Sequence, residues 1–152
     1  MNIVLLEPEI PYNTGNIGRT CVLTNTKLHI IKPMGFSLED KYVKRAGLDY
    51  WEKVQCYIYE SFDELKSKYQ DKKFYYATTK TTQKYSDVKY EMDDFIVFGK
   101  ESKGIPVEIL DANKDCCITI PMLPVGRSLN LSNSASIILY EALRQNNFEF
   151  GV

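Results

Sequence analysis

Three separate segments of this chain concentrate small and polar residues of the kinds that often surround a bound ligand. They are PYNTGNIGRT (residues 11–20), FGKESKGIP (98–106) and RSLNLSNSAS (127–136), the last preceded by ITIPM (118–122). Glycine lets a backbone approach a ligand closely, and serine and asparagine side chains both donate and accept hydrogen bonds. Neither GxGxxG nor GxxxxGK[ST] is completed, so the segments do not match a standard nucleotide-binding loop.

Arg19 is unexpected at its place in the first segment. The sequence predicts a loop from Pro11 to Gly15 and then a helix through about Asn25. The first N–H groups of a helix have no partner within the helix, and Gly15 and Gly18 would let a ligand approach them closely. A cation in the first turns of a helix opposes the helix dipole. Arg19 is therefore either an ordinary surface residue or a contact for an anion such as phosphate.

The third segment holds more polar side chains than a helix start requires. A cap needs one side-chain oxygen bonded to an N–H group of the first turn. The segment supplies Asn130, Ser132, Asn133, Ser134 and Ser136. This surplus predicts either a tightly folded loop that bonds its own backbone or a polar ligand.

The histidine and the cysteines do not form a pattern for metal binding or acid–base chemistry. The chain has one histidine, His29, whose setting KLHIIKP favours a strand. The four cysteines, Cys21, Cys56, Cys116 and Cys117, include no CxxC pair. We therefore expect no metal site, and free thiols of a cytosolic protein.

Apolar runs alternate with helical patterns along the chain. The predicted strands are NIVLLEP, KLHIIKP, VQCYIYE, KKFYYATT, DFIVFG and CCITIP. Continuous apolar strands separated by helices indicate an α/β fold with a mainly parallel sheet and flanking helices. Ligands of such sheets bind beyond the carboxyl ends of the strands, where all three polar segments are predicted to lie.

Several predicted helices have identifiable ends or faces. Ser37 with Asp40 and Ser61 with Glu64 resemble capping boxes, and a short helix is expected near 107–112. The last helix begins at about Ser132 and has a core-facing stripe. That stripe consists of Ala135, Ile138, Leu139, Ala142 and Leu143.

Composition indicates a soluble globular chain. The 152 residues fit one domain, 1–152, with 44% hydrophobic and 26% charged residues, no secretory signal and no membrane-spanning run. The net charge of −1 does not favour nucleic acid binding, although local patches matter more than the total. Lys41, Lys44 and Arg45 form one such cluster, which composition alone would assign to a solvated helix face.

As an ordered set, NTGNIGR, FGKESKGIP and IPM…RSLNLSNSAS resemble the three motifs of the SPOUT class of RNA methyltransferases. NIVLLEPEIPYNTGNIGRTC, IKPMGF, KRAGLDYW and LYEALRQ further resemble its tRNA 2′-O-methyltransferase branch, of the TrmL or YibK type. The resemblance extends from Asn2 to about Phe150. It implies methylation of the wobble ribose 2′-hydroxyl of tRNA, at cytidine 34 and at cmnm5U34 of leucine tRNA.

The resemblance also implies a fold and a cofactor. The C-terminal region would form a deep trefoil knot that binds S-adenosylmethionine, releases S-adenosylhomocysteine and needs no metal. The knot would explain the surplus Ser and Asn residues, which would satisfy backbone groups packed too tightly for water. The implied cofactor-binding residues are Ala77, Gly99, Glu101, Ile120, Ser128, Leu129 and Asn133.

Further roles follow from the same resemblance. Arg19 and Tyr140 would be catalytic, and we expect Arg19 to grip an RNA phosphate because guanidinium is a poor proton acceptor. Tyr140 could instead be a structural aromatic of a helix interface. The implied RNA-binding residues are Asn13, Arg19, Lys41, Lys44, Arg45 and Lys80. The partners would be the tRNA anticodon loop and a second copy, joined through the knot region in a cytoplasmic homodimer without membrane contact.

Three other interpretations remain open. GNIG (15–18) has the GXXG form with which KH domains hold RNA, so the first alternative is a non-catalytic RNA-binding module. An α/β nucleotide-binding enzyme unrelated to methylation is the second. A ribose methyltransferase acting on rRNA is the third. Affinity for S-adenosylhomocysteine distinguishes the first two from a methyltransferase.

Overall fold

A computed structural model describes residues 1–150 and, at 47–49, the backbone alone. Within that part of the chain six strands form one fully parallel sheet, which confirms the predicted α/β class. The strands are β1 (Asn2–Leu6), β2 (Lys27–Ile31), β3 (Cys56–Tyr59), β4 (Phe74–Ala77), β5 (Phe95–Phe98) and β6 (Cys117–Ile118). Residues 151 and 152 of the predicted domain lie outside the described residues.

The strand order across the sheet is β3-β2-β1-β5-β4-β6. Strand β1 pairs with β2 on one side and with β5 on the other. The direction in which the chain adds strands reverses between β1 and β5, and ligands of such sheets bind near a reversal of this kind. A ligand site is therefore expected beyond the carboxyl ends of these central strands.

Helices cover both faces of the sheet. They are α1 (Pro11–Leu23), α2 (Lys41–Gly47), α3 (Phe62–Lys68), α4 (Val107–Asp111) and α5 (Leu131–Gln145), with 3-10 turns at Leu48–Lys53 and Lys114–Cys116. Among residues 1–150, none of the helices combines the length and the apolar character needed to cross a membrane.

The core has one layer on each side of the sheet. Ile3 and Leu5 of β1 pack in a cluster with residues of α1 and α5, whereas Val4 and Leu6 pack in a cluster with residues of α3 and α4. This two-sided burial is why the strands are continuously apolar. The predicted apolar stripe of α5 is fully buried, as expected.

The start of α1 differs from the sequence prediction. The helix begins at Pro11 rather than after a loop, because proline is well tolerated in a first turn. Gly18 therefore lies inside the helix, where a Cβ atom would come within 2.5 Å of the Trp51 ring. Arg19 lies in the third turn, too far from the helix start for the dipole to act on it strongly.

One of the two predicted capping boxes is confirmed in part. The Ser61 hydroxyl accepts a hydrogen bond from Glu64 N–H at 3.2 Å, as predicted, but the Glu64 carboxylate accepts from Glu60 N–H at 2.8 Å and not from Ser61 N–H. The box predicted at Ser37 is wrong, because Asp40 caps α2 by accepting from Tyr42 N–H at 2.7 Å.

Candidate active site

The loop after β5 folds into a tight turn that requires glycine at both ends. Gly104 N–H donates to the Lys100 carbonyl at 2.8 Å, and Gly104 has φ = +69°. At Gly99 the backbones nearly touch, since a Cβ atom would lie 2.0 Å from the Gly104 carbonyl carbon and 2.1 Å from Ile105 N. Only glycine fits at residue 99 without moving the backbone opposite.

Carboxylates join this turn to the segment between β1 and α1. Glu101 accepts hydrogen bonds from Glu9 N–H at 2.8 Å, Ile10 N–H at 3.1 Å and the Asn13 side-chain amide at 3.2 Å. In the opposite direction, Glu9 accepts from the N–H and the hydroxyl of Ser102, both at 2.8 Å. These bonds keep the pKa of the Glu9 carboxyl below its usual value. The two loops are thus bonded to each other from both sides.

A second amide extends the network to the last helix. The side-chain oxygen Oδ1 of Asn13 accepts a hydrogen bond from the side-chain NH₂ of Asn130 at 2.9 Å. Asn130 caps α5, because its side-chain oxygen Oδ1 accepts hydrogen bonds from Ser132 N–H at 2.9 Å and from Asn133 N–H at 3.3 Å. A chain of hydrogen bonds therefore runs from Glu101 through Asn13 to the start of α5. The three polar segments meet at one place, as the sequence predicts.

The surplus of serines in the third segment has a partly different explanation from the one predicted. Ser132 donates its hydroxyl to Asn130, and Ser136 donates its hydroxyl to the Ser132 carbonyl at 3.0 Å. Both therefore serve the first turns of α5. Residues 121–130, however, are all exposed, so the expectation that this loop is packed too tightly for water is wrong.

A pocket of about 430 Å³ opens where these segments converge. It lies at the carboxyl ends of β4, β5 and β6 and beside the N-terminus of α5. This volume falls within the range of roughly 300–1,000 Å³ that is typical of small-molecule sites. Its walls combine apolar residues, such as Ile118 and Ile138, with polar residues, such as Thr78, Thr79 and Thr119.

Most of the predicted cofactor residues line this pocket. Those that do so are Ala77, Gly99, Glu101, Ile120, Ser128 and Leu129. Asn133 is not in the lining, and its described contact is the backbone bond to Asn130. Glu101 is largely occupied by the bonds to the β1–α1 segment. The cofactor roles of these residues stay predictions.

The charge of the lining is strongly positive. It contains four cations, Lys80, Lys100, Lys103 and Arg127, and one carboxylate, Glu101. Lys100 is paired with Glu7 at 2.6 Å, whereas the other three make no ion pair with any side chain that the structure describes. A chain of net charge −1 therefore concentrates positive charge at one opening.

The two predicted catalytic residues lie outside the pocket lining of the chain. Arg19 is exposed on α1, with its guanidinium carbon 5.5 Å from the centre of the Tyr50 ring. Tyr140 is 45% exposed on α5, which packs beside α1. Each belongs to an exposed helical stripe. The stripes are Tyr12, Asn16, Arg19 and Leu23 on α1, and Asn133, Ile137, Tyr140 and Arg144 on α5.

The predicted RNA-binding residues are divided between two places. Lys80 is exposed at the pocket. Lys41, Lys44 and Arg45 are exposed on α2, where Lys44 is paired with Glu39 at 2.8 Å. The remaining predicted residue, Asn13, is only 4% exposed and bonded at both ends of its amide, so its side chain offers little surface to RNA.

Sequence reasoning missed three residues that shape the site. The sequence analysis does not single out Asn130 as the cap from the other polar residues of its segment. Its position just before the first apolar-periodic residues is the signal that identifies a helix cap. Lys103 and Arg127 lie inside the quoted motifs but were given no role. Their spacing in sequence alone does not show that both face one opening.

The lining contains neither histidine nor cysteine, and its one carboxylate, Glu101, already accepts three hydrogen bonds. His29 is on β2, as predicted, and is fully buried. Its Nε2 lies 3.1 Å from the side-chain oxygen of Asn2, and its Nδ1 lies 3.1 Å from the Tyr59 hydroxyl. Burial lowers its pKa to about 4, so it is a neutral residue of the core. The pocket is built to hold and orient a ligand.

Comparison with known proteins identifies the family. The SpoU rRNA Methylase family model matches residues 1–140. A relative from Listeria monocytogenes serotype 4b is 53% identical over 97% of this chain and 89% of its own length. The tRNA (cytidine(34)-2′-O)-methyltransferase of Escherichia coli K12 is 47% identical over 95% of this chain and 93% of its own length.

Solved structures agree with the sequence comparisons. One that concerns the 2-OH methylation of C/U34 on tRNA superimposes with a TM-score of 0.90 at 35% identity, covering 96% of this chain and 95% of the other. The relatives are therefore similar along almost the whole chain. On this basis the chain belongs to the SpoU rRNA Methylase family.

Proposed function

We propose that this protein transfers a methyl group from S-adenosylmethionine to the ribose 2′-hydroxyl of nucleotide 34 in tRNA. The observation on which the proposal depends is the single pocket formed where the three motif segments are bonded together. The Escherichia coli relative and the structure concerned with C/U34 support tRNA as the substrate. The chain acts as one SPOUT domain, 1–152, in the cytoplasm.

The pocket suits the proposed cofactor. Ala77, Ile120 and Leu129 supply apolar walls, and neighbouring backbone amides and carbonyls can hydrogen-bond an adenine edge. Bound S-adenosylmethionine would supply an electrophilic methyl group on a sulfonium. The residues of the chain would hold the donor and the ribose hydroxyl in line, and such positioning accounts for much of the acceleration in two-substrate reactions.

The positive lining supports an RNA substrate. S-adenosylmethionine carries a net positive charge, so the cofactor gives no electrostatic reason for Lys80, Lys103 and Arg127 at the opening. A polyanion does, because phosphates are attracted by lysine and arginine clusters. We assign these three side chains to phosphates beside the target nucleotide.

A homodimer would bring Arg19 and Tyr140 to a pocket. Both residues are exposed on neighbouring helices, yet neither lines the pocket of its own subunit. The exposed stripes of α1 and α5 include Leu23 and Ile137, which a second copy would cover. Arg19 of one subunit would then bind an RNA phosphate at the pocket of the other and stabilise the developing alkoxide.

A trefoil knot is the proposed topology of the C-terminal region. The return of the chain from the edge strand β6 to α5, which packs beside α1, supports it. The exposed loop 121–130 would be the part of the chain that passes around the turn at 99–104.

Arg19→Ala is the test of this assignment. We expect methylation of nucleotide 34 to be lost while S-adenosylhomocysteine affinity, measured by calorimetry, stays near that of the unsubstituted protein. Arg19→Lys keeps the charge but loses the planar fork, and should recover only part of the activity. Full turnover by Arg19→Ala would exclude the role of Arg19. Absence of S-adenosylhomocysteine binding by the unsubstituted protein would exclude the methyltransferase itself.

A further inference from the structure

We propose that Tyr12 and Tyr42 form a stacking platform for an unpaired base next to the target nucleotide of the RNA. The inference rests on the proposed function, because it takes the tRNA anticodon loop as the partner. It assigns a role to two residues that the pocket lining does not include.

The two tyrosines form an aromatic pair on the surface. Tyr12 lies in the first turn of α1 and Tyr42 in α2, and their ring centres are 5.2 Å apart at an angle of 38°. Tyr12 is 42% exposed and Tyr42 is 38% exposed. Large rings contribute to stability mainly by burial, so a half-exposed pair leaves aromatic surface available to a partner.

The surroundings of the pair are cationic. The Lys41 ammonium lies 5.1 Å from the centre of the Tyr42 ring, and Arg45 is exposed one turn further along α2. Lys44, on the same helix, is already paired with Glu39. Proteins that bind single-stranded nucleic acid combine aromatic rings for the bases with cations for the phosphates. Lys41 and Arg45 provide that charge here.

The pair also shares a helix face with a residue that is proposed to bind RNA. Tyr12 lies on the same exposed stripe of α1 as Arg19, which the proposed homodimer would bring to a pocket. A nucleotide that enters the pocket must leave the base stack of its loop, which exposes the faces of its neighbours. A ring on the same stripe can cover one of those faces and so hold the loop with its target nucleotide turned toward the pocket.

A fluorescent RNA hairpin tests the platform. The probe is an anticodon stem-loop in which 2-aminopurine replaces nucleotide 33 or nucleotide 35, since stacking of this base quenches its emission. The variants are Tyr12→Leu/Tyr42→Leu, which removes both rings, and Tyr12→Phe/Tyr42→Phe, which keeps them. Tyr57→Leu is the matched control, because Tyr57 is 43% exposed on strand β3 at the sheet edge.

We expect quenching at one of the two positions with the unsubstituted protein. The Leu double variant should lose that quenching and bind the hairpin about tenfold more weakly or worse, given the usual contribution of base–aromatic stacking. Its affinity for S-adenosylhomocysteine should not change. The Phe double variant should restore both the quenching and the hairpin affinity, and Tyr57→Leu should leave both as they are.

Other outcomes would overturn the platform. One is a hairpin that is methylated without quenching at either position, which refutes the platform while the methyltransferase assignment stands. Another is a Leu double variant that binds the hairpin as well as the unsubstituted protein. A third is a Leu double variant that loses affinity only as it dissociates into monomers in sedimentation, which would make the pair a contact between two copies.

Discussion

Gly99 allows a test of the pocket with a single methyl group. In Gly99→Ala the new carbon would lie 2.0 Å from the Gly104 carbonyl carbon and 2.1 Å from Ile105 N. Carbon atoms in contact are normally about 3.5–4.0 Å apart, so the two backbone segments must separate by about 1.5 Å. Both obstacles are backbone atoms, which cannot turn aside as a side chain would.

The expected effect is large on both stability and binding. Overpacking of this kind costs about 1–3 kcal/mol or more, which lowers the unfolding temperature by about 2–4 °C per kcal/mol in a chain of this size. The turn at 99–104 forms one wall of the pocket, so its displacement should weaken S-adenosylhomocysteine binding by about tenfold or more. Thermal unfolding and calorimetric titration measure the two effects.

Two other glycines serve as controls. Gly126→Ala makes the same chemical change in the neighbouring loop, where a Cβ atom meets nothing within 4 Å, and should change neither quantity. Gly104→Ala has equal space but requires φ = +69°, so it should cost about 1 kcal/mol through backbone strain alone. A Gly99→Ala protein that unfolds and binds like Gly126→Ala would refute the reasoning.

Three further predictions concern other parts of the molecule. His29 stays neutral in the folded protein down to about pH 4, whereas in the unfolded chain it binds a proton near its ordinary value of 6.5. Acidification between these values should therefore reduce the free energy of unfolding by about 3 kcal/mol in total. Chemical denaturation across that pH range measures this loss, and the His29→Phe variant should not show it. Glu101→Gln sets a side-chain NH₂ against backbone donors and should cost about 1–3 kcal/mol, with weaker S-adenosylhomocysteine binding; an unchanged denaturation midpoint would contradict the network. Ser61→Ala should cost about 1 kcal/mol by loss of the α3 cap and leave methyl transfer unaffected, so a loss of activity would show that the cap does more than hold α3.

The sheet could be predicted from the sequence because its determinants are local. Each strand is a short apolar run, and the alternation with helices indicates parallel pairing with both faces covered. The buried stripe of α5 has a spacing that is visible in the sequence. The Ser61 cap could be predicted for the same reason, since both of its partners lie within four residues.

The start of α1 could not be predicted in the same way. Proline, asparagine and glycine within 11–18 are frequent in loops, and they indicate a loop when taken locally. In the fold, Glu101, far along the chain, accepts the Ile10 N–H just before the helix, and the ring of Trp51 lies against Gly18. Tertiary contacts therefore override local preference at this site.

The candidate site was predictable as a set of segments but not as a geometry. Polar residues after the ends of β5 and β6 indicate a shared location, since the carboxyl ends of parallel strands lie at one edge. Which side chains serve the backbone and which face the pocket depends on pairings such as Asn13 with Asn130. The sequence contains no periodic pattern that would indicate such a pair.

The bond between Asn13 and Asn130 joins residues 117 positions apart, and it has a consequence for how the protein is made. A ribosome releases the first strand, its helix and most of the sheet long before the last helix emerges. Contacts between such distant parts of a chain are slow to form. The pocket therefore cannot form until α5 has emerged, and ligand binding would report that this helix has packed against the first part of the chain.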